Sequence, residues 1–255
     1  MLRLSFICLF MFTIAVNAQN TAVGFNEKLV YTASYNMSGI LTDLAQINME
    51  TSPVKTSKAT LLRLKCTATT YSKWDNFFKI RDLYESYVSP KSLTPYLYNR
   101  SINEGGYFKK MKYTFSHKTK TVKTVQTKSK NRVENKTVSI NSGTKDIIST
   151  LYSVRLLDYA SMANGNTITQ NIIFDRKEYN VQITYLGKET ISTAIGSKSC
   201  YKIAIGSADS NVLQGKNSNV LWLTADANKV PVYGKFKIPV GNGELKIKSA
   251  SGLKN

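Results

Sequence analysis

Catalysis and metal binding need groups that exchange protons or donate lone pairs, and this chain is poor in them. Its one histidine, His117, lies in Phe115-Ser116-His117-Lys118, with no acidic residue nearby in sequence to orient the ring as a general base requires. The cysteines are Cys8, Cys66 and Cys200. One histidine and scattered thiols do not supply the three or four ligands of a zinc site, so no metal and no cofactor is expected. There is no glycine-rich phosphate loop and no Gly-x-Ser-x-Gly elbow, and Gly206-Ser207-Ala208-Asp209 lacks a histidine partner that the sequence would support, so a serine hydrolase has no basis. Carboxylates are scarce, 16 against 35 Lys and Arg. Asp82 with Glu85, or Glu104 with Asp226, are the candidate glycosidase-type pairs. In a strand Asp82 and Glu85 point to opposite faces and cannot share a substrate. Asp226, within Trp222-Leu223-Thr224-Ala225-Asp226-Ala227-Asn228, reads as a hairpin corner whose side chain bonds its own backbone. An enzyme using Asp82, Glu104, Asp146 and Arg155 shows no base or nucleophile pairing, and the chain is read as a non-enzyme.

Charge is the stronger signal. The formal net charge is +19, and a concentrated share of it lies in Lys109, Lys110, Lys112, Lys118, Lys120, Lys123, Lys128, Lys130, Arg132 and Lys136, a stretch whose one acid is Glu134. In a cytoplasmic protein such a block points to nucleic acid. The first eighteen residues argue against that compartment. Arg3 precedes an apolar run from Leu4 to Val16, broken by Ser5 and Thr13, and Val16-Asn17-Ala18 closes it with the small residue that signal peptidase prefers. The run is short for a membrane span. Residues 1–18 are therefore expected to be a signal peptide, with a mature chain from Gln19, no transmembrane span after processing and no nucleic-acid partner. Cys8 lacks the small residues that precede a lipidated cysteine. The expected location is the periplasm or the outer membrane, where the polyanions are anionic lipid, lipopolysaccharide and envelope glycan. The bland alternative is that these lysines are solvated strand faces that keep sheet edges from sticking.

The elements that would position these groups are strands. Leu29, Tyr31, Ala33, Tyr35 and Met37 alternate with polar residues, as do Leu62, Leu64, Cys66 and Ala68, and Tyr179, Val181, Ile183 and Tyr185. A period of two with one wet face suits antiparallel pairing. Ser38-Gly39, Gly105-Gly106, Asn164-Gly165 and Gly241-Asn242-Gly243 read as hairpin turns. Roughly eleven to thirteen strands follow from this pattern. Lys145 to Tyr159 differs: Ile147, Ile148, Leu151, Tyr152, Val154, Leu156 and Tyr159 recur at helical spacing, with Thr144 as the expected cap. A short helical turn is expected near Ser72 to Asn76. The tyrosines and phenylalanines, 15 and 10 in number, are read first as core. No linker or repeat divides residues 19–255, so one β-rich domain is expected. Cys66 is predicted to face the core and Cys200, sharing parity with Lys202, the opposite side of its strand, which leaves them unpaired.

Several phrases in order resemble the bacterial family called domain of unknown function 3108, found in exported proteins of Gram-negative bacteria. They are Phe25-Asn26-Glu27-Lys28-Leu29-Val30-Tyr31, Ile80-Arg81-Asp82-Leu83-Tyr84-Glu85-Ser86, Glu104-Gly105-Gly106-Tyr107, Asp146 to Arg155, Trp222 to Asp226, and Val230-Pro231-Val232. The resemblance implies an envelope β protein without established activity or catalytic residues. It also implies a curved, half-barrel-like sheet, as in periplasmic lipoprotein carriers, with the helix near 145–159 as a lid. Two functions are weighed: a non-enzymatic protein that binds or carries a lipidic or anionic amphiphile, the apolar sheet face taking the acyl part, and a structural or adaptor protein that docks to an envelope protein or glycan through its basic strands.

Overall fold

The alternating segments become fourteen strands among the residues described in the computed structural model, which are 19–37, 40–129, 132–207, 219–238 and 241–255. The expected signal peptide, residues 1–18, lies outside them. The first half holds β1 (Lys28–Met37), β2 (Ile40–Lys55), β3 (Thr60–Thr70), β4 (Arg81–Val88), β5 (Pro95–Glu104), β6 (Tyr107–Ser116), β7 (Thr121–Lys128) and β8 (Arg132–Ser139). After the helix α1 (Ile147–Ser153) come β9 (Thr167–Phe174), β10 (Lys177–Thr193), β11 (Gly196–Gly206), β12 (Asn219–Thr224), β13 (Pro231–Ile238) and β14 (Gly241–Ser251).

All fourteen form one antiparallel sheet in the order β8-β7-β6-β5-β4-β3-β2-β1-β14-β13-β12-β11-β10-β9. Every pairing in the sheet joins sequence neighbours except that of β1 with β14, so the first and last strands lie mid-sheet. The free edges are β8 and β9, the strands that flank α1. The sheet is curved and does not close into a barrel: its edges approach each other where Glu134 on β8 meets Arg176 at the β9–β10 turn, and α1 touches β3, β4 and β9. The expected half-barrel with one helix is this architecture.

Turn residues sort by what surrounds them. Gly105 and Gly106 make the β5–β6 hairpin with φ of 53° and 88°, the left-handed pair that a two-residue turn needs. Gly241-Asn242-Gly243, expected as a turn, is instead the start of β14. Gly243 stands opposite Phe236 on β13, whose ring fills the place of a side chain. Asn164-Gly165 likewise leads into β9 rather than joining two strands. Ser38-Gly39 lies outside the described residues.

The helix is shorter than its apolar periodicity suggests, and its cap falls two residues later. Lys145 is drawn into a parallel bridge with Ile172, and the Asp146 carboxylate accepts the N–H groups of Ile148 and Ser149 at 2.9 Å each. Thr144 turns away, donating to the Asn141 carbonyl. Beyond Ser153 the chain tightens into 3₁₀ turns at Val154–Leu156 and Tyr159–Ser161. The expected turn near Ser72 is present as Ser72–Trp74.

The principal core contains Leu29, Tyr31, Leu62, Leu64, Tyr98, Tyr113, Ile148 and Tyr152. Burying each large apolar side chain stabilises by about 1.5 to 3 kcal/mol relative to leaving it exposed. A second cluster sets Val154 and Tyr159 against Ile183, Tyr185, Tyr201, Ile203 and Leu223. Cys66 and Cys200 are free. Cys200 does lie across β11 from Tyr201 and Ile203, but that side is not wet: the thiol is fully buried and belongs with Trp222 and Val232 to the principal core.

Candidate functional site

Strand parity divides the basic stretch. On β6, Lys109, Met111, Tyr113 and Phe115 are buried while Lys110 and Lys112 are exposed. On β7, Val122, Thr124 and Gln126 are buried while Lys123 is exposed. The residues expected as one basic surface therefore serve three places. Lys110, Lys112 and Lys123 stand on the outer face. Lys118 and Lys120 occupy the β6–β7 turn. None of these five has a carboxylate partner among the described residues. Lys128 and Arg132 reach Glu134 at 3.5 and 2.8 Å, and Lys136 donates to the Arg176 carbonyl. Lys109 points inward, contrary to its place in a surface patch, because its odd position on β6 faces the core. Lys130 lies outside the described residues.

The inward basic groups hold the sheet edges together. At the tip of the β9–β10 hairpin, Asp175 accepts from Arg100 at 2.5 Å and from Lys109 at 3.0 Å. Burial alone would raise the Asp175 carboxyl, but the two cations hold it below the usual carboxylate range. Next to it the Arg176 guanidinium meets Glu134 on β8 at 2.9 Å, and the Arg176 N–H donates to the Tyr113 hydroxyl. The edge strand β8 and the β9–β10 hairpin are thus tied by charge rather than by a ladder. The sequence carries one signal of this latch, a two-residue break between alternating runs, but Asp175-Arg176 lacks the glycine that marks such a turn.

The outer lysines border a groove. Lys110 is paired with Ser101 on β5 and Thr127 on β7, and Lys112 with Asn99 and Val125. With Leu83 these residues line an open depression of about 270 Å³. Two ammonium groups, side-chain donors and an apolar floor come together there, and the sequence pointed to the lysines but not to Asn99, Ser101, Leu83 or Thr127, which only cross-strand register brings to them.

Among the carboxylates considered for catalysis, Asp82 and Glu104 come together. Asp82 accepts the Asn103 N–H at 2.9 Å and stands by Glu104, whose pKa burial and then Asp82 push up to about 7. Asp146 is spent on the helix cap and on Ser86 at 2.6 Å. Arg155 is buried in a bidentate pair with Glu27, at 2.6 and 2.8 Å, and also donates to the Asn228 and Ala22 carbonyls. Asp226 accepts from the N–H groups of Asn228 and Lys229, the corner expected of it. His117 is held to the Pro95 carbonyl at 2.6 Å, its ring stacked on Phe115. No group of three or more potential metal ligands occurs among the described residues.

The profile of the family described as protein of unknown function DUF3108 matches residues 30–248. The chain belongs to the DUF3108 family. The DUF3108 match runs from β1 to β14 and so takes in the latch, the outer groove and the helix. No curated protein matches the chain. Among solved structures, a β-barrel-like protein of the DUF1849 domain from Brucella abortus is similar over 90% of this chain and 99% of its own, with a TM-score of 0.59 and 9% identity. A protein with a YmcC-like fold from Bacteroides fragilis aligns over 90% of this chain and 99% of its own with a TM-score of 0.31 and 7% identity. The first supports the fold of this DUF3108 protein. No helix among the described residues is long and apolar enough to cross a membrane.

Proposed function

We propose that this DUF3108 protein is a non-enzymatic, exported envelope protein that binds an anionic amphiphile by its head group, in the groove on the outer face of β5, β6 and β7. The observation that carries this reading is the pairing of Lys110 and Lys112, without carboxylate partners among the described residues, with Ser101, Asn99 and Thr127 over the apolar floor of Leu83 and Val125. Ammonium and hydroxyl donors suit a phosphate, and the floor suits the first carbons behind it. A volume near 270 Å³ is below the usual span of drug-sized sites, about 300 to 1,000 Å³, which favours a head group over a whole lipid. The inner face is occupied by core side chains and α1, so the acyl part is assigned to the outside of the sheet.

The test uses a soluble short-chain probe, dihexanoyl phosphatidylglycerol, below its micelle concentration. Binding should weaken as salt rises, since exposed charges are screened over about 8 Å at physiological ionic strength. Lys110→Gln with Lys112→Gln should weaken it on the order of three- to tenfold at low salt. Equal affinity for dihexanoyl phosphatidylcholine, or binding unchanged in the double variant, refutes the assignment. Competition by an acidic glycan with no effect of the lipid probe would point to the adaptor reading.

A further inference from the structure

One end of the sheet concentrates exposed apolar side chains. Phe77 is 76% exposed and Ile40 71%, with Tyr107, Phe78 and Leu41 also exposed. They share an end because the β3–β4 connection runs along it. Tyr71 N–H bonds the Leu44 carbonyl on β2, and Lys79 accepts from the Gly105 N–H at the β5–β6 turn. Between these two anchors the Trp74 indole is pinned to the Asp43 carbonyl at 2.8 Å, the Phe78 ring lies against Gly105, and Phe77 projects outward.

Lysines flank these rings. Lys73 and Lys79 are exposed, and the Lys73 ammonium stands 5.6 Å from the Trp74 ring centre. Of the acids at this end, Asp75 is engaged by Arg81 and Thr70, Asp43 accepts from the Ser34 hydroxyl, and Glu104 lies opposite Tyr107. Lys110 lies near the same end, over Phe108. Aromatic side chains flanked by lysines and held on a rigid turn are the chemistry of a membrane–water interface, where rings enter the head-group layer and ammonium groups meet lipid phosphates. Isolated apolar residues on a surface need no explanation, whereas a cluster rimmed by cations does.

We infer that this end, led by Phe77 and Phe78 and flanked by Lys73 and Lys79, inserts into the interface of an anionic bilayer. The inference rests on the head-group reading and adds an orientation to it. Tip-down docking brings Lys73, Lys79 and Lys110 toward the phosphates and holds Lys118 and Lys120, on the β6–β7 turn at the opposite end, away from them.

The experiment uses the mature chain and vesicles of phosphatidylcholine with or without phosphatidylglycerol. Phe77→Trp should acquire a blue-shifted emission on the anionic vesicles and be quenched by brominated acyl chains, beyond the signal of the unsubstituted protein. Phe77→Ser with Lys79→Gln should weaken vesicle binding on the order of tenfold or more, because an interfacial ring and a phosphate contact are both lost. Both positions are exposed, so the fold should survive, which circular dichroism checks. Lys118→Gln with Lys120→Gln should leave binding within about twofold. Strong vesicle binding without the shift or quenching, or with no loss in the Phe77→Ser/Lys79→Gln variant, overturns insertion while the short-chain probe still tests the groove on its own. A dimer in sedimentation that Phe77→Ser dissociates assigns the patch to a second copy and also overturns it. Failure of both the vesicles and the short-chain probe overturns the two readings together.

Discussion

Glu104 ends β5 beside Asp82, and burial followed by that neighbouring carboxylate pushes its pKa up to about 7. The folded protein then holds more protons than the unfolded chain across the window from the ordinary carboxyl value, about 4.3, up to about 7. The contribution is fully present below that window and is lost as pH rises through it. Because the side chain is only partly buried, solvent screening limits the effect to about 1 to 2 kcal/mol. Glu104→Gln, neutral at every pH, should flatten the fall in stability between pH 5 and 8 in urea titrations; an unchanged slope would show that the pair does not titrate there. Since the two carboxyls interact, the slope reports the pair and not one residue. Arg155 and Glu27 are the opposite case. Their charges are fully buried and mutually satisfied, so the pair connects the chain start, the 3₁₀ turn and the β12–β13 corner without being available for chemistry.

The β9–β10 hairpin shows what an element costs and what returns the cost. Asp175 and Arg176 have φ of 44° and 63°, a left-handed turn in which a non-glycine residue is disfavoured by roughly 1 to 2 kcal/mol. The ion pairs to Arg100, Lys109 and Glu134 keep that turn in place. Asp175→Asn retains a residue that tolerates the conformation but removes the charge, leaving Arg100, 6% exposed, without its anion. The expected loss is about 1.5 to 3 kcal/mol, with faster amide exchange in β8 and at the start of β10. Wild-type stability and exchange in this variant would show that core packing, rather than the latch, holds the edges.

For the whole molecule, β1 lies against β14, which puts the first and last strands together mid-sheet. Lys254 donates to the Asn20 carbonyl and Asn255 to Thr21. The two halves are thereby joined at the middle by a ladder and at the edges by α1 and the latch, so opening is expected to be global. The thiols report it. Burial pushes Cys66 up to about 12 and Cys200 up to about 11, and thiolate is the reactive form. Near pH 8 the native protein should react at Cys66 and Cys200 with a thiol reagent only at the rate of unfolding, and the denatured chain should yield both of these thiols at once without reductant. Rapid native labelling of either cysteine would reveal local opening, and no thiols after denaturation would reveal a disulfide.

What was legible in the sequence is what short-range chemistry dictates. Period-two alternation is a property of consecutive residues, so the strands around Leu29, Leu64 and Val181, the turn at Gly105-Gly106 and the Asp226 corner could be read without the fold. The expected eleven to thirteen strands fell short of the fourteen described, and the helix was drawn too long, because glycine opposite a ring looks like glycine in a turn and an apolar helical period does not reveal where a neighbouring strand captures Lys145. The candidate site was half legible. Ten basic residues stood out, but a lysine's partner is set by which strand lies beside it and which face points inward. Register across β5, β6 and β7 alone gathered Ser101, Asn99 and Val125 around Lys110 and Lys112, and the curvature of the sheet alone brought Asp175 to Arg100 and Lys109. The groove pairs are hairpin neighbours set by register, whereas the latch pairs are 75 and 66 residues apart, and only long-range packing, which no local pattern encodes, decided those.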